Sequence, residues 1–186
     1  MPWEKTNNRH PLNRTLRALG LNPSLHVLIA SLGEQKLTHY RAGAPVSEIP
    51  LSWSRRPPCC TENSEGTPLG LHVVADKIGA GAPAGRVFVG RVDTGLHFSE
   101  RPDAGPGQRS LVTTRILRLR GLEEGRNAGP GVDSFARFIY IHGTNRPDAW
   151  TANVSAGCLL LPDPELIRLF EAVPEGSLVW IDHRVR

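Results

Sequence analysis

The stretch "IHGTNRPDAWTANVSAGCLLL", residues 141–161, closes an apolar run on His142 and sets Cys158 beyond a polar loop. A cysteine attacks as its thiolate, and a nearby imidazole is the usual means of generating one near neutral pH. The same imidazole can hand the proton back to a departing amine. Such a pair suits acyl transfer through a thioester. Gly157 allows close backbone approach, Ser155 adds a hydroxyl, and His142 stands at the end of a strand-like run that can present it rigidly. The competing reading of Cys158 is a small core hydrophobe beside "LLL". Spacing alone does not decide between them, because Cys–His signatures do not transfer between families.

Elements capable of positioning this pair are legible along the chain. Strand-like runs punctuated by turns cover 25–32, 36–42, 47–53, 69–76, 86–92, 111–119, 137–143 and 177–182. Residues 11–20, "PLNRTLRALG", predict a short amphipathic helix with Leu12, Leu16 and Leu19 on one side and Gly20 as its stop. A second helix is predicted from Asp163 as N-cap and Pro164 in the first turn. Leu166, Ile167, Phe170 and Val173 follow at helical spacing, and Gly176 ends the element. Many short strands without βαβ alternation imply a mainly β sandwich or barrel with a few peripheral helices. No repeat or linker divides the chain, so residues 1–186 read as one catalytic domain, with 1–23 an N-terminal extension carrying the short helix. Residues 55–66 and 121–134 are the long loops, and loops of that length are often functional.

Composition removes several functional classes. Gly (19) and Pro (16) are abundant, as short strands and turns require. The net charge of +4 comes from scattered basic residues with no interleaved aromatics, which argues against nucleic-acid binding. Cys59, Cys60 and Cys158 form no disulfide framework or zinc spacing, so no metal is expected and the adjacent pair reads as two reduced loop thiols. "GAGAPAG" (79–85) lacks dinucleotide-loop spacing and reads as a hairpin or flap. No segment reaches the length of a membrane span, and the N-terminal residues lack a signal peptide's layout, so a cytoplasmic location is expected, with a periplasmic one as the alternative.

"IYIHGT…VSAGCLLL", together with "GTPLGLHVV" (66–74), "KIGAGAPAGRVFVGR" and "TTRILRLRGLEEGRN…VDSFARFIYIHGT", resembles the L,D-transpeptidase catalytic domain family over roughly residues 24–182. The resemblance implies that Cys158 is the nucleophile and His142 the base, with the Gly143 carbonyl orienting the imidazole. It also implies an oxyanion site built from backbone N–H groups around Gly157 and Cys158, and a loop fixed by Ser155. Two positions depart from the family pattern: Ala156 replaces a usual His, and Leu160 a usual Arg or Asn. The implied partner is a peptidoglycan stem peptide, and no cofactor is needed for thiol acyl transfer. From the absent signal and the altered motif, the expected activity is that of an L,D-carboxypeptidase trimming terminal D-alanine from tetrapeptide muropeptides during wall recycling. An L,D-transpeptidase forming 3→3 cross-links or exchanging D-amino acids is the alternative, and a non-catalytic wall-binding module a third reading. Arg146, Trp150, Ser155 and Tyr140 are candidate substrate contacts, although Tyr140 and His72 lie in strand patterns where core positions are the default. Arg146 is equally readable as a solvated loop residue, Asp148 and Trp150 line the cleft or merely pack the loop, and Arg55 and Arg56 either recruit an anionic muropeptide or, as the favoured reading, form a solvated pair.

Overall fold

The computed structural model describes residues 10–101, 110–150 and 152–184. The first nine residues of the expected N-terminal extension therefore lie outside the described residues. Strand β1 (His26–Ser31) is apolar on both faces because both faces are covered. Leu28 and Ala30 join the main core, and Val27 and Ile29 join a second layer, as the two-residue alternation of a strand requires. β1 pairs antiparallel with β2 (Lys36–Arg41), which carries β3 (Ala44–Pro50) on its outer edge. On its other side β1 runs parallel to β10 (Leu178–Asp182), so the end of the chain sits in the middle of the sheet.

From β10 the sheet continues through β4 (Gly70–Ile78) to the long β7 (Val112–Gly121). The near end of β7 also pairs with a hairpin formed by β5 (Arg86–Val89) and β6 (Val92–His97). The opposite edge of β7 carries β8 (Tyr140–Gly143), and β9 (Leu159–Leu160) lies parallel to β8. Two isolated bridges, Ser52–Leu160 and Ser54–Ser155, then fasten this end to the chain leaving β3. The sheet thus turns back on itself around one core, which is the mainly β architecture expected.

The sequence reading merged β5 with the start of β6. Their turn is Gly90–Arg91, with φ of +55° and +71°, and an arginine in that conformation is not a usual hairpin signal. α1 (Pro11–Ala18) lays Leu12 and Leu16 over the second layer of Val27, Ile29, Leu71 and Trp180. Leu19, expected on that face, is 40% exposed because the helix ends before it and Leu19 serves as the cap. α2 (Asp163–Ala172) packs Leu166, Leu169 and Phe170 into the main core, with Leu169 rather than the half-buried Ile167 in the apolar stripe. Pro162, not Asp163, occupies its N-cap, and no side chain caps the helix. The Asp163 carboxylate instead bonds to Thr114 and to the Gly85 backbone. Among the described residues, no helix is long and apolar enough to cross a membrane.

Candidate active site

His142 lies on β8, whose four residues are all buried. Its Nδ1 donates to the carbonyl of Gly143 at 2.6 Å. That bond puts the ring proton on Nδ1 and leaves Nε2 as the basic nitrogen. The arrangement depends on residue 143 having no side chain. A Cβ there would stand 2.4 Å from Asp163 Oδ1 and 2.8 Å from Thr113 Oγ1. Both threonines come from a bulge in β7, where the pairing with β8 shifts register between Thr113 and Ile116. Thr114 takes φ +70° there, a costly conformation for a β-branched residue, and its Oγ1 accepts from the Gly85 N–H at 2.9 Å. Strain in β7 thereby presents two hydroxyls, beside the Asp163 carboxylate from α2, around the turn that orients the imidazole.

Cys158 follows a loop tied by Ser155. The Ser155 hydroxyl donates to the Cys158 carbonyl at 2.6 Å and accepts from the Gly157 N–H at 3.3 Å. Gly157 has φ +120°, and a Cβ on it would sit 3.1 Å from Ile139 Cδ1 and 3.2 Å from the Gly66 carbonyl oxygen. Conformation and crowding both demand glycine here. The sulfur lies between a donor and an acceptor: the Tyr140 N–H points to it at 3.4 Å, and its own S–H points to the Phe138 carbonyl at 3.5 Å. Phe138 holds φ +56° to present that carbonyl. Beside it, Arg137 donates to the carbonyls of Cys59, Cys60 and Gly66 and so fastens the 59–66 loop against this wall.

Burial dominates the electrostatics. Although one side of Cys158 meets the cavity, the sulfur is otherwise enclosed by protein. Desolvation pushes the thiol up to about 11, against the pull of the Tyr140 N–H and the Arg137 charge. Desolvation likewise takes His142 down to about 4, opposed by its bond to Gly143. At neutral pH the two groups are therefore a thiol and a neutral imidazole rather than a preformed ion pair. Proton transfer has to accompany attack, which is general-base chemistry.

Cys158 and His142 line one cavity of about 180 Å³, together with Ser155, Ala156 and Val154 from the loop and Ser110, Val112 and Arg55 from other segments. Tyr140 is buried behind them, its ring edge-on to His142 with centroids 6.4 Å apart and its hydroxyl bonded to Arg91. Arg146 and Trp150 line a different cavity of about 490 Å³ with Phe98 and Asp163. There Arg146 is gripped by Asp148 through Nε at 2.8 Å and Nη2 at 2.5 Å. Leu160 is fully buried, register partner of His142, and adds nothing to the cavity wall. His72 is a core residue bonded to the Gly70 carbonyl and the Ser134 hydroxyl. A further cavity of about 570 Å³, lined by residues of β1, β2, β3 and α2, contains none of the motif residues. Cys59 and Cys60 carry free thiols. Among the described residues, no cluster of three or more His, Cys, Asp or Glu has the arrangement of a metal site.

Sequence reasoning missed Phe138 and Arg137, which lie just ahead of the histidine strand, and it ranked a solvated loop role for Arg55 above recruitment of an anionic muropeptide. A carbonyl aimed by an unusual φ, or a guanidinium spent on carbonyls, leaves no pattern in residue types.

A closed β architecture with a cysteine and a histidine on one cavity defines a family when the comparisons are joined to it. The model of the L,D-transpeptidase catalytic domain (YkuD) matches residues 25–181, and the chain belongs to this family. Its fold is shared with L,D-transpeptidase 3 of Mycobacterium tuberculosis, solved with a faropenem-derived adduct, at 19% identity and TM-score 0.51, covering 86% of this chain and 60% of that one. An L,D-transpeptidase from Xylanimonas cellulosilytica is similar at 17% identity and TM-score 0.51, with 93% and 70% covered. One from Enterococcus faecium is similar at 16% identity and TM-score 0.50, with 86% and 50% covered. The chain spans about three fifths of the length of the first such structures, 59% in one case. No curated protein sequence matches it.

Proposed function

We propose that this protein is a cysteine-nucleophile L,D-carboxypeptidase that removes terminal D-alanine from peptidoglycan tetrapeptides. The observation that carries the reading is the shared cavity of Cys158 and His142, with Nδ1 of the imidazole held by Gly143 and Nε2 left basic. As Sγ attacks the carbonyl carbon at the L-centre of the diamino acid, its proton passes to His142 Nε2. The Gly157 N–H is given to the Ser155 hydroxyl, so the tetrahedral oxyanion is received by the neighbouring Cys158 backbone N–H. Collapse breaks the C–N bond, and the imidazolium gives its proton to the departing amine of D-alanine. Water, deprotonated by the same nitrogen, then attacks the thioester and releases the tripeptide and the thiol.

Hydrolysis is favoured over transfer by the motif's two departures. Ala156 brings only a methyl group to the cavity, and Leu160 is withdrawn into the core. Neither offers a polar group to hold an incoming acyl acceptor. Transpeptidation is the second reading, supported by family membership and by the solved L,D-transpeptidases that share the fold. Incubation with a defined disaccharide tetrapeptide, followed by mass spectrometry, separates the two. Tripeptide and free D-alanine are expected, and none from the Cys158→Ala variant. Dimer or D-amino-acid-exchanged product in place of tripeptide overturns the hydrolytic reading.

A further inference from the structure

The tetrapeptide that enters this reaction ends in the carboxylate of D-alanine, and the cleaved bond lies one residue from it. A nucleophile approaches its carbonyl to about 3–3.5 Å, one residue spans roughly 3.5 Å, and a charge-assisted hydrogen bond adds about 2.8 Å. A partner for the terminal carboxylate therefore belongs at the rim of the cavity, on the order of 10 Å from the sulfur. Among the described residues lining this cavity, Arg55 is the one charged side chain, since His142 is neutral there.

The other arginines nearby are committed elsewhere. Arg137 is bonded to three loop carbonyls, Arg146 lines a separate cavity in the grip of Asp148, and Arg91 reaches the Tyr140 hydroxyl. Arg55, by contrast, is pinned to the nucleophile loop. Its N–H donates to the Ser155 carbonyl at 3.2 Å, and the Ser155 N–H donates to the Trp53 carbonyl at 3.3 Å, around the Ser54–Ser155 bridge. Its guanidinium is oriented by Glu65, Nη2 to Oε2 at 2.7 Å, and a guanidinium carries further N–H donors in a planar fork suited to a carboxylate. Glu65 is itself held, since its carbonyl accepts from the Ser54 hydroxyl at 2.6 Å.

We infer that Arg55 is the specificity residue that receives the C-terminal carboxylate of the substrate, supplying from the segment after β3 the fixed cation that the nucleophile motif lacks at Leu160. The inference rests on the proposed use of the Cys158 cavity for a D-terminated stem peptide. It deepens that reading by requiring a free carboxylate beside the cleaved bond.

The test is binding in the Cys158→Ala background, where turnover does not intervene. Calorimetric titration compares the tetrapeptide with the same peptide bearing a C-terminal carboxamide. With Arg55 present, the acid is expected to bind about tenfold more tightly than the amide. In the Arg55→Ala double variant that ratio falls to about one, while Arg55→Lys keeps an intermediate preference. Unchanged thermal midpoints confirm that the loop is intact. Equal affinity for acid and amide, a preference that survives Arg55→Ala, or no binding of either peptide overturns the inference. Release of D-alanine by the unaltered protein is scored separately. Turnover without discrimination removes Arg55 alone, and Arg55-dependent discrimination without turnover removes the hydrolytic reading alone.

Discussion

At the scale of single residues, the thiol is held in its protonated form. Sγ donates to the Phe138 carbonyl, burial raises the group to about 11, and His142 is too weak a base at about 4 to ionise it in the resting protein. Cys59 is the opposite case. Hydrogen bonds from Thr61 and Ser64, aided by the charge of Arg137, hold it below the usual thiol range. A raised value means less thiolate at any given pH and a lowered value means more, so iodoacetamide at pH 7.5 is expected to label Cys59 ahead of Cys158. Labelling of Cys158 should climb until the pH approaches 11. Peptide mass spectrometry across a pH series reads both rates. Fastest labelling at Cys158 near neutrality would show a preformed thiolate and contradict the uncharged pair.

At the scale of elements, the site is assembled where β7, β8 and α2 meet. The β7 bulge brings Thr113 and Thr114 to Gly143, and the first residue of α2, Asp163, closes the same spot. Gly143 does not take a positive φ; crowding alone excludes a side chain from it. Gly143→Ala is therefore expected to push the histidine turn away from the bulge. The predicted cost is about 1–3 kcal/mol of stability, and a loss of kcat far larger than the change in KM, because the imidazole loses its orientation. Urea unfolding and steady-state kinetics on the tetrapeptide measure the two effects. Wild-type stability and kcat in that variant would show that the turn relaxes freely and that the Gly143 carbonyl is not an orienting group.

At the scale of the whole molecule, the fold buries five histidines among the described residues, and three of them are shifted furthest. His39, His72 and His142 are 5%, 0% and 3% exposed, and burial takes each down to about 4. In the unfolded chain a histidine takes up its proton near 6.5. Between about pH 6.5 and pH 4 the unfolded state therefore binds more protons than the folded one, and stability falls as the pH is lowered through that window. The combined loss is on the order of several kcal/mol by pH 4.5. Urea midpoints at pH 7, 5.5 and 4.5 should decline in that order. A midpoint constant down to pH 5 would mean that the folded protein lets these rings take up protons as readily as the unfolded chain does.

What the amino-acid sequence determined by itself is whatever depends on neighbours along the chain. Strand-like runs bounded by turns marked the strands except β6 and β9, helical spacing marked α1 and α2, and the run "VSAGC" after "IHGT" carried the resemblance that the family model bears out. Tertiary structure alone decided the rest. It separated Arg146 and Trp150 from the thiol cavity and brought Arg55 into it through a bridge spanning a hundred residues of chain. It turned Asp163 from a helix cap into a wall of the histidine turn, and it raised the thiol instead of ionising it. The physical reason is that strand and helix formation follow from local sterics and periodicity. The walls of a cavity and the desolvation of its groups arise only when distant segments pack together and exclude water.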